Sequence, residues 1–228
     1  MIHAGLVTCE AGLPTIADAF LGRVDRSVCD ARIDRWSRRL VDAARISIEV
    51  RGKQHMLGDE TFVVISNHQS HYDIPVLFQC YDKPIRMVAK QELFRIPVMG
   101  SAMRAAGFPA LDRKRTERAI ATLSATTAAL RSGMSIWIAP EGTRSPDGCL
   151  GAFKKGGFRM AIDAGVRILP VTIDGTRRTL VAKGRSVTEG QTVRVTFSEP
   201  VDTSAVDREH LTQLIQRVRA AISQHLPA

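Results

Sequence analysis

The spacing of apolar side chains changes period several times along the chain. In "RIDRWSRRLVDAA" (32–44), Ile33, Trp36, Leu40, Val41 and Ala44 recur at helical intervals with charges between them, which predicts an amphipathic helix. "RISIEVR" (45–51) then alternates at Ile46, Ile48 and Val50, the two-residue period of a strand. "TFVVIS" (61–66) is a short continuous apolar run, as in a strand covered on both faces. "DIPVLFQC" (73–80) reads as a helix with Asp73 as N-cap and a proline in its first turn. "IRMVAK" (85–90) and "GFPALD" (107–112) read as strands around the short helical piece "PVMGSAMRAAG". Residues 115–132 predict a helix, and "MSIWIAP" (134–140) a buried strand. "FKKGGFRMAIDAG" (153–165) predicts a helix closed by glycine. "VRILPVTIDG" and "TVRVTFSEP" are late strands, and "DREHLTQLIQRVRAAISQHL" an amphipathic C-terminal helix.

Strands alternating with helices predict an α/β fold: one domain, a central and largely parallel sheet flanked by helices. Residues 1–50 are read as an N-terminal helical segment, open to the membrane surface or to packing on the sheet, and residues 51–228 as the main domain. A chain of 228 residues is long enough for a sizeable core. No apolar run approaches the ~18 residues a transmembrane helix needs. The opening "MIHAGLVTCEAGLPTIADAF" has no basic stretch ahead of its apolar residues, which argues against a cleaved secretory signal. Cys9, Cys29, Cys80 and Cys149 show no paired spacing and read as reduced thiols of a cytoplasmic protein, with Cys149 as a small packing residue.

Charge sharpens this picture. The formal balance is +9, and residues 51–160 hold 16 basic against 9 acidic side chains, while residues 1–50 are balanced at 7 and 7. The positive field therefore covers the stretch that also carries the unusual polar motifs, and it favours an anionic partner. The aromatic residues are scattered and offer no stacking platform for bases.

Three polar clusters follow apolar strands: "NHQSHYD" (67–73), "DRKR" (112–115) and "EGTRS" (141–145). In an open α/β sheet ligands sit beyond the carboxyl ends of the strands, so the three clusters can share one crevice. On one continuous helix His68 and Asp73 would point about 140° apart. With Asp73 opening a helix and His68 in the loop before it, imidazole and carboxylate can meet as a general base and its orienting group. His71 is a rival for the same role. Arg144 is suited to a phosphate, with Glu141 orienting a hydroxyl or Arg144 itself, and Arg113, Lys114, Arg115 and Lys90 are further cationic candidates. No Gly-x-Ser-x-Gly elbow, phosphate loop or Gly-x-Gly-x-x-Gly fingerprint is present, and no His, Cys or carboxylate spacing suggests a metal.

Taken together these residues resemble the glycerolipid acyltransferases that act on lysophosphatidic acid, the 1-acylglycerol-3-phosphate acyltransferase family. The first motif is a histidine, four residues and an aspartate, here His68 and Asp73; the second is "GFPALDR", ending in Asp112 and Arg113. The third, Phe-Pro-Glu-Gly-Thr-Arg-Ser, is matched by "APEGTRS", and the fourth, an apolar strand carrying proline, by "ILPVTI" with Pro170. "AKQELF", "FKKGG" and the closing "SEP" also resemble family segments, so the likeness runs from about 60 to 201.

The resemblance implies acyl transfer from an acyl thioester, on coenzyme A or acyl carrier protein, to the hydroxyl of a lysophospholipid. The first expectation is 1-acylglycerol-3-phosphate, giving phosphatidic acid. His68 would be the base and Asp73 its orienting partner. Arg113, Glu141, Gly142, Thr143 and Arg144 would bind the acceptor, with Lys90 assisting and Pro170 shaping the acyl site. No cofactor or metal is implied, and the enzyme would sit peripherally on the cytoplasmic face of a membrane. Three departures stand out. Ala139 replaces the usual phenylalanine, Pro109 and Ala110 replace larger apolar residues, and no membrane-spanning segment precedes the motifs. Helix 32–44 offers an apolar stripe and an arginine-rich face for the membrane, or packs on the sheet. Acceptance of another lyso-lipid, such as a lyso-aminolipid, is the alternative in the same class. A non-catalytic binder of anionic lipid is the alternative in another, though it has no need of a base. Nucleic-acid binding fits the charge and leaves the His–Asp pair unexplained.

Overall fold

The computed structural model describes residues 2–56, 58–112, 122, 126–184, 186–204 and 210–227. The N-terminal segment is two helices, α1 (Ile2–Phe20) and α2 (Arg26–Ala43), with the Asp25 side chain capping α2 through the Val28 N–H. Then follow β1 (Ser47–Arg51), β2 (Val63–Ser66), α3 (Asp73–Cys80), β3 (Ile85–Met87), β4 (Ala89–Lys90), α4 (Met99–Ala105) and β5 (Ala110–Leu111). The second half holds β6 (Ser135–Ile138), α5 (Gly156–Ala164), β7 (Ile168–Asp174), the one-turn α6 (Thr176–Thr179), β8 (Thr192–Phe197) and α7 (Leu211–Ser223). The helix expected over 115–132 lies largely outside the described residues, and 126–131 are helical.

Six strands form one sheet in the order β1-β8-β7-β2-β6-β3. Every pairing in it is parallel except β7 with β8. The mixed α/β architecture with a mostly parallel sheet is the one the pattern predicts. β1 crosses the expected boundary at residue 50 and pairs with β8, so the main sheet begins before it.

β2 shows why a continuous apolar run belongs at the centre. It lies between β7 and β6, and all four of its residues are buried. Its side chains alternate between two cores. Val64 joins Val41 of α2, Val76 and Leu77 of α3, and Leu169, Val171 and Ile173 of β7. Val63 and Ile65 face the other way, into Phe158 and Met160 of α5 and Leu214, Val218 and Ile222 of α7.

One expected element came out differently. "IRMVAK" is not one strand: β3 pairs with β6, while Ala89 and Lys90 pair with Ala110 and Leu111 in a separate two-stranded sheet. The change of partner falls between the Val88 N–H, which donates to Trp137, and the Ala89 N–H, which donates to Pro109. Helix α2 packs against α3, burying Cys29, Ser37, Leu40 and Val41, and is pinned by the ion pair of Asp30 with the buried Arg86. Its apolar stripe therefore faces protein. α1 lies across α2 and α4 and carries the exposed apolar side chains Leu6, Leu13 and Phe20.

Candidate active site

Neighbouring parallel strands β7, β2 and β6 each end in a polar segment on the same edge of the sheet. Residues 67–72 follow β2, residues 139–151 follow β6, and Gly175 with α6 follows β7. Asn67 ties the first segment down: its side-chain amide donates to the Ile173 carbonyl and its Oδ1 accepts the Ile173 N–H, both at 2.8 Å. Ser66 Oγ, which accepts from the Trp137 indole at 2.9 Å, donates to the Asn67 carbonyl. The chain leaves β2 anchored to both neighbouring strands before it reaches His68.

The loop brings His68 Nδ1 to 2.7 Å from Asp73 Oδ2. Asp73 is the first residue of α3 rather than its cap; Tyr72 holds the cap position without a side-chain bond. Its carboxylate turns back instead, and Oδ2 accepts the N–H groups of Gln69 at 2.7 Å and Ser70 at 2.9 Å. Oδ1 accepts from the Thr176 hydroxyl. Asp73 is fully buried, a setting in which an ionised carboxylate requires several donors. Nδ1–H on the carboxylate leaves Nε2 as the free acceptor, the tautomer a general base needs. The His68 side chain is 18% exposed and stands edge-on to the Trp137 ring.

Glu141 turns to the main chain. Its Oε1 accepts the His68 backbone N–H at 2.9 Å and its Oε2 the Gly151 N–H at 2.8 Å. Both oxygens are thus taken by main-chain amides rather than by Arg144. A Cβ at Gly151 would sit 2.9 Å from Oε2, so glycine is what lets the backbone come this close. Burial pushes the Glu141 carboxyl above its ordinary range, while the Gly151 and His68 amides pull the other way. The Ser145 N–H closes the same join by donating to the His68 carbonyl at 2.7 Å. Ser145 Oγ bonds Asp147 and the Gly148 N–H, bracing the turn.

The remaining predicted residues divide. Gly142 is buried with a φ of 76°, the left-handed region that glycine reaches without strain, and Thr143 beside it is exposed. Arg144 is half-buried, with no carboxylate of the described residues within ion-pair distance. It acts on His71, whose pKa is pushed down, first by desolvation and then by the charge of Arg144. Lys90 ends β4, is exposed, and adds to the same positive field at His71. Arg113, with Lys114 and Arg115, lies outside the described residues.

Pro170 is buried in β7, level with Ile65 of β2. Ile168 and Val201 exchange both backbone bonds, and the Ser198 N–H donates to the Pro170 carbonyl. The peptide nitrogen of Pro170 therefore points to the β8 side, opposite Ser198–Pro200 where the ladder is interrupted, so no donor is missed there.

Cys149 is exposed, against the expectation that it packs, and all four cysteines are free. No group of three His, Cys, Asp or Glu side chains able to hold a metal ion exists among the described residues. Thr176 was not foreseen. It has no motif of its own and is 103 positions from the carboxylate it touches.

A family model described as Acyltransferase matches residues 47–174. Human 1-acyl-sn-glycerol-3-phosphate acyltransferase alpha is 34% identical over 175 residues, which is 76% of this chain and 62% of the human protein. The chloroplastic 1-acyl-sn-glycerol-3-phosphate acyltransferase LPAT1 of Arabidopsis thaliana is 34% identical over 161 residues, 70% of this chain and 45% of the plant protein. The chain thus spans less than two thirds of the length of these two relatives. The crystal structure of the 1-acyl-sn-glycerophosphate (LPA) acyltransferase PlsC from Thermotoga maritima superimposes with a TM-score of 0.74 at 32% identity. The match covers 87% of this chain and 78% of that one.

Proposed function

This chain belongs to the acyltransferase family, and on that premise we propose that it moves a fatty acyl group from an acyl thioester to the free hydroxyl of a lysophospholipid. The acceptor is 1-acylglycerol-3-phosphate and the product phosphatidic acid; coenzyme A or acyl carrier protein carries the acyl group in. The observation that carries the reading is the 2.7 Å contact of His68 Nδ1 with the buried Asp73.

The chemistry follows from that contact. Nε2 of His68 takes the hydroxyl proton as the oxygen attacks the thioester carbonyl. Asp73 stabilises the imidazolium that forms. Collapse of the tetrahedral intermediate breaks the carbon–sulfur bond, and His68 returns the proton to the departing thiolate. Ester and free thiol leave, and no electrons are exchanged with a cofactor. Arg144 receives the acceptor's phosphate, with Lys90 and Arg113 as further cations, because its charge is unspent on protein carboxylates among the described residues. Gly142 and Thr143 line the turn that presents it, Glu141 holds that turn to the base, and Pro170 shapes the acyl side.

The catalytic unit runs from β1 onward, and α1 with α2 forms the N-terminal segment. We assign the membrane-facing surface to α1 on the cytoplasmic side, with Leu6 65%, Leu13 55% and Phe20 90% exposed. No helix of the described residues is long and apolar enough to cross a membrane, which suits a surface attachment. In flotation with anionic vesicles, L13E/F20E stays with the soluble fraction while wild type floats; equal flotation would remove α1 from this role.

The central test follows thiol release and lipid product from a long-chain acyl thioester and lysophosphatidic acid. His68→Ala loses about 10²–10⁴ in rate, the range a general base contributes, and His71→Ala stays within a few-fold. Loss in His71→Ala with retention in His68→Ala would overturn the assignment. A wild type that acylates only another lyso-lipid would keep the reaction and change the acceptor.

A further inference from the structure

Thr176 reaches the site from the far side of β2. Gly175, with a φ of 108°, turns the chain out of β7, and Thr176 opens the single turn α6 with its side chain fully buried. Its hydroxyl donates to Asp73 Oδ1, while Oδ2 is held by His68 Nδ1–H and by the N–H groups of Gln69 and Ser70. The two oxygens of one carboxylate are therefore tied to different parts of the fold.

Resting on the acyl-transfer reading, we infer that Thr176 is a positioning residue: its hydroxyl on Oδ1 fixes the Asp73 carboxylate and draws charge away from the oxygen that faces His68. A hydrogen bond to an ionised carboxylate is stronger than a neutral one, and a buried acceptor deprived of its donor keeps the full cost of lost hydration. Without the hydroxyl, the two loop amides still hold Oδ2 in place. The negative charge is then less shared and binds the imidazolium more strongly. The acid limb of the pH–rate profile is therefore where loss of the hydroxyl shows. Among the described residues Glu141 and His71 interact with this pair, and Arg144 and Lys90 act on His71. None of them comes from the β7–α6 turn, so the influence of Thr176 is separable from theirs.

Thr176→Val keeps the branched shape and removes the donor. In wild type, T176V and T176S, kcat and KM are measured from pH 5.5 to 9. T176V is expected to lose about tenfold in kcat near pH 7 with KM within about twofold, a loss typical of one charge-assisted hydrogen bond. The acid limb of its pH–rate profile moves up by about one pH unit, so activity partly recovers at alkaline pH. T176S restores both. An unmoved acid limb in T176V, with or without lower thermal stability, would overturn the inference and leave Thr176 as packing. Should T176V fail to fold, T176A is the donor-free variant and reads the same limb. A wild type without turnover would sink the acyl-transfer reading alone. The ¹⁵N-imidazole NMR signal of His68 Nδ1–H then decides on Thr176: a shift between wild type and T176V supports it, and an identical resonance overturns it.

Discussion

The two polar segments that meet at His68 hold it by different parts. The first, residues 67–73, supplies Asp73, whose carboxylate meets the imidazole at Nδ1. The second, residues 139–151, supplies Glu141, whose carboxylate meets the main-chain N–H of the same residue, while the Ser145 N–H takes the His68 carbonyl. Both carboxylates are buried, yet one is aimed at an imidazole and the other at main-chain amides, which carry no titratable proton. Contact with the imidazole fixes the ring; contact with the peptide fixes the main chain that carries it. On the proposed mechanism the same residue type carries chemistry in one segment and carpentry in the other.

Substitutions that separate rate from stability test this difference. Asp73→Asn, the larger effect, removes the charge that stabilises the imidazolium and is expected to lower kcat by about 10²–10⁴. The Asn oxygen still accepts from the loop amides and its amide group can face the Thr176 hydroxyl, so the melting temperature falls little. Glu141→Gln is next. One of its two positions becomes an N–H₂ facing the N–H of His68 or Gly151, and the loss in stability is about 1–3 kcal/mol. For a chain of this size that lowers Tm by roughly 2–4 °C per kcal/mol, with a smaller fall in rate than in Asp73→Asn. A Glu141→Gln protein that melts normally but has lost its turnover would break the comparison and return Glu141 to the substrate, as its motif first suggests.

The smallest effect concerns His71, whose folded-state pKa lies below its ordinary 6.5 because of desolvation and the charge of Arg144. Below 6.5 the unfolded chain binds this proton before the folded one does, so the folded state loses stability as pH falls. Denaturant titrations between pH 7 and 5 should show a steeper decline in wild type than in His71→Gln. Parallel declines would mean that other groups dominate the window.

What the sequence let one read follows from how far apart the partners are. His68 and Asp73 are five positions apart, and the break between a strand and a helix was visible in the apolar pattern, so their meeting was legible. The roles of Glu141 and Thr176 were not. Each bonds a residue of the segment that follows another strand, 73 and 103 positions away, and a carboxylate or a threonine carries no mark of which amide or oxygen it will find. The alternating and continuous apolar runs announced β1, β2, β6, β7 and β8, because burial on a sheet imposes those patterns. They did not announce that "IRMVAK" changes sheets at Val88, since both pieces are apolar and only their partners differ. The packing of α2 against α3 was equally open, because an apolar stripe suits a protein face as well as a lipid one.

The pairing of β1 with β8 has a consequence for how the molecule comes into being. Glu49 and Arg194, opposite each other across those strands, are 145 positions apart, and β8 lies between β1 and the rest of the sheet. During synthesis β1 emerges early and waits for nearly the whole chain before its partner exists. Contacts this distant slow folding and leave an unpaired edge exposed to other chains in the meantime. A chain cut short before residue 192 would therefore hold strands β2, β6 and β7, which can pair with one another, and a first strand with nowhere to dock.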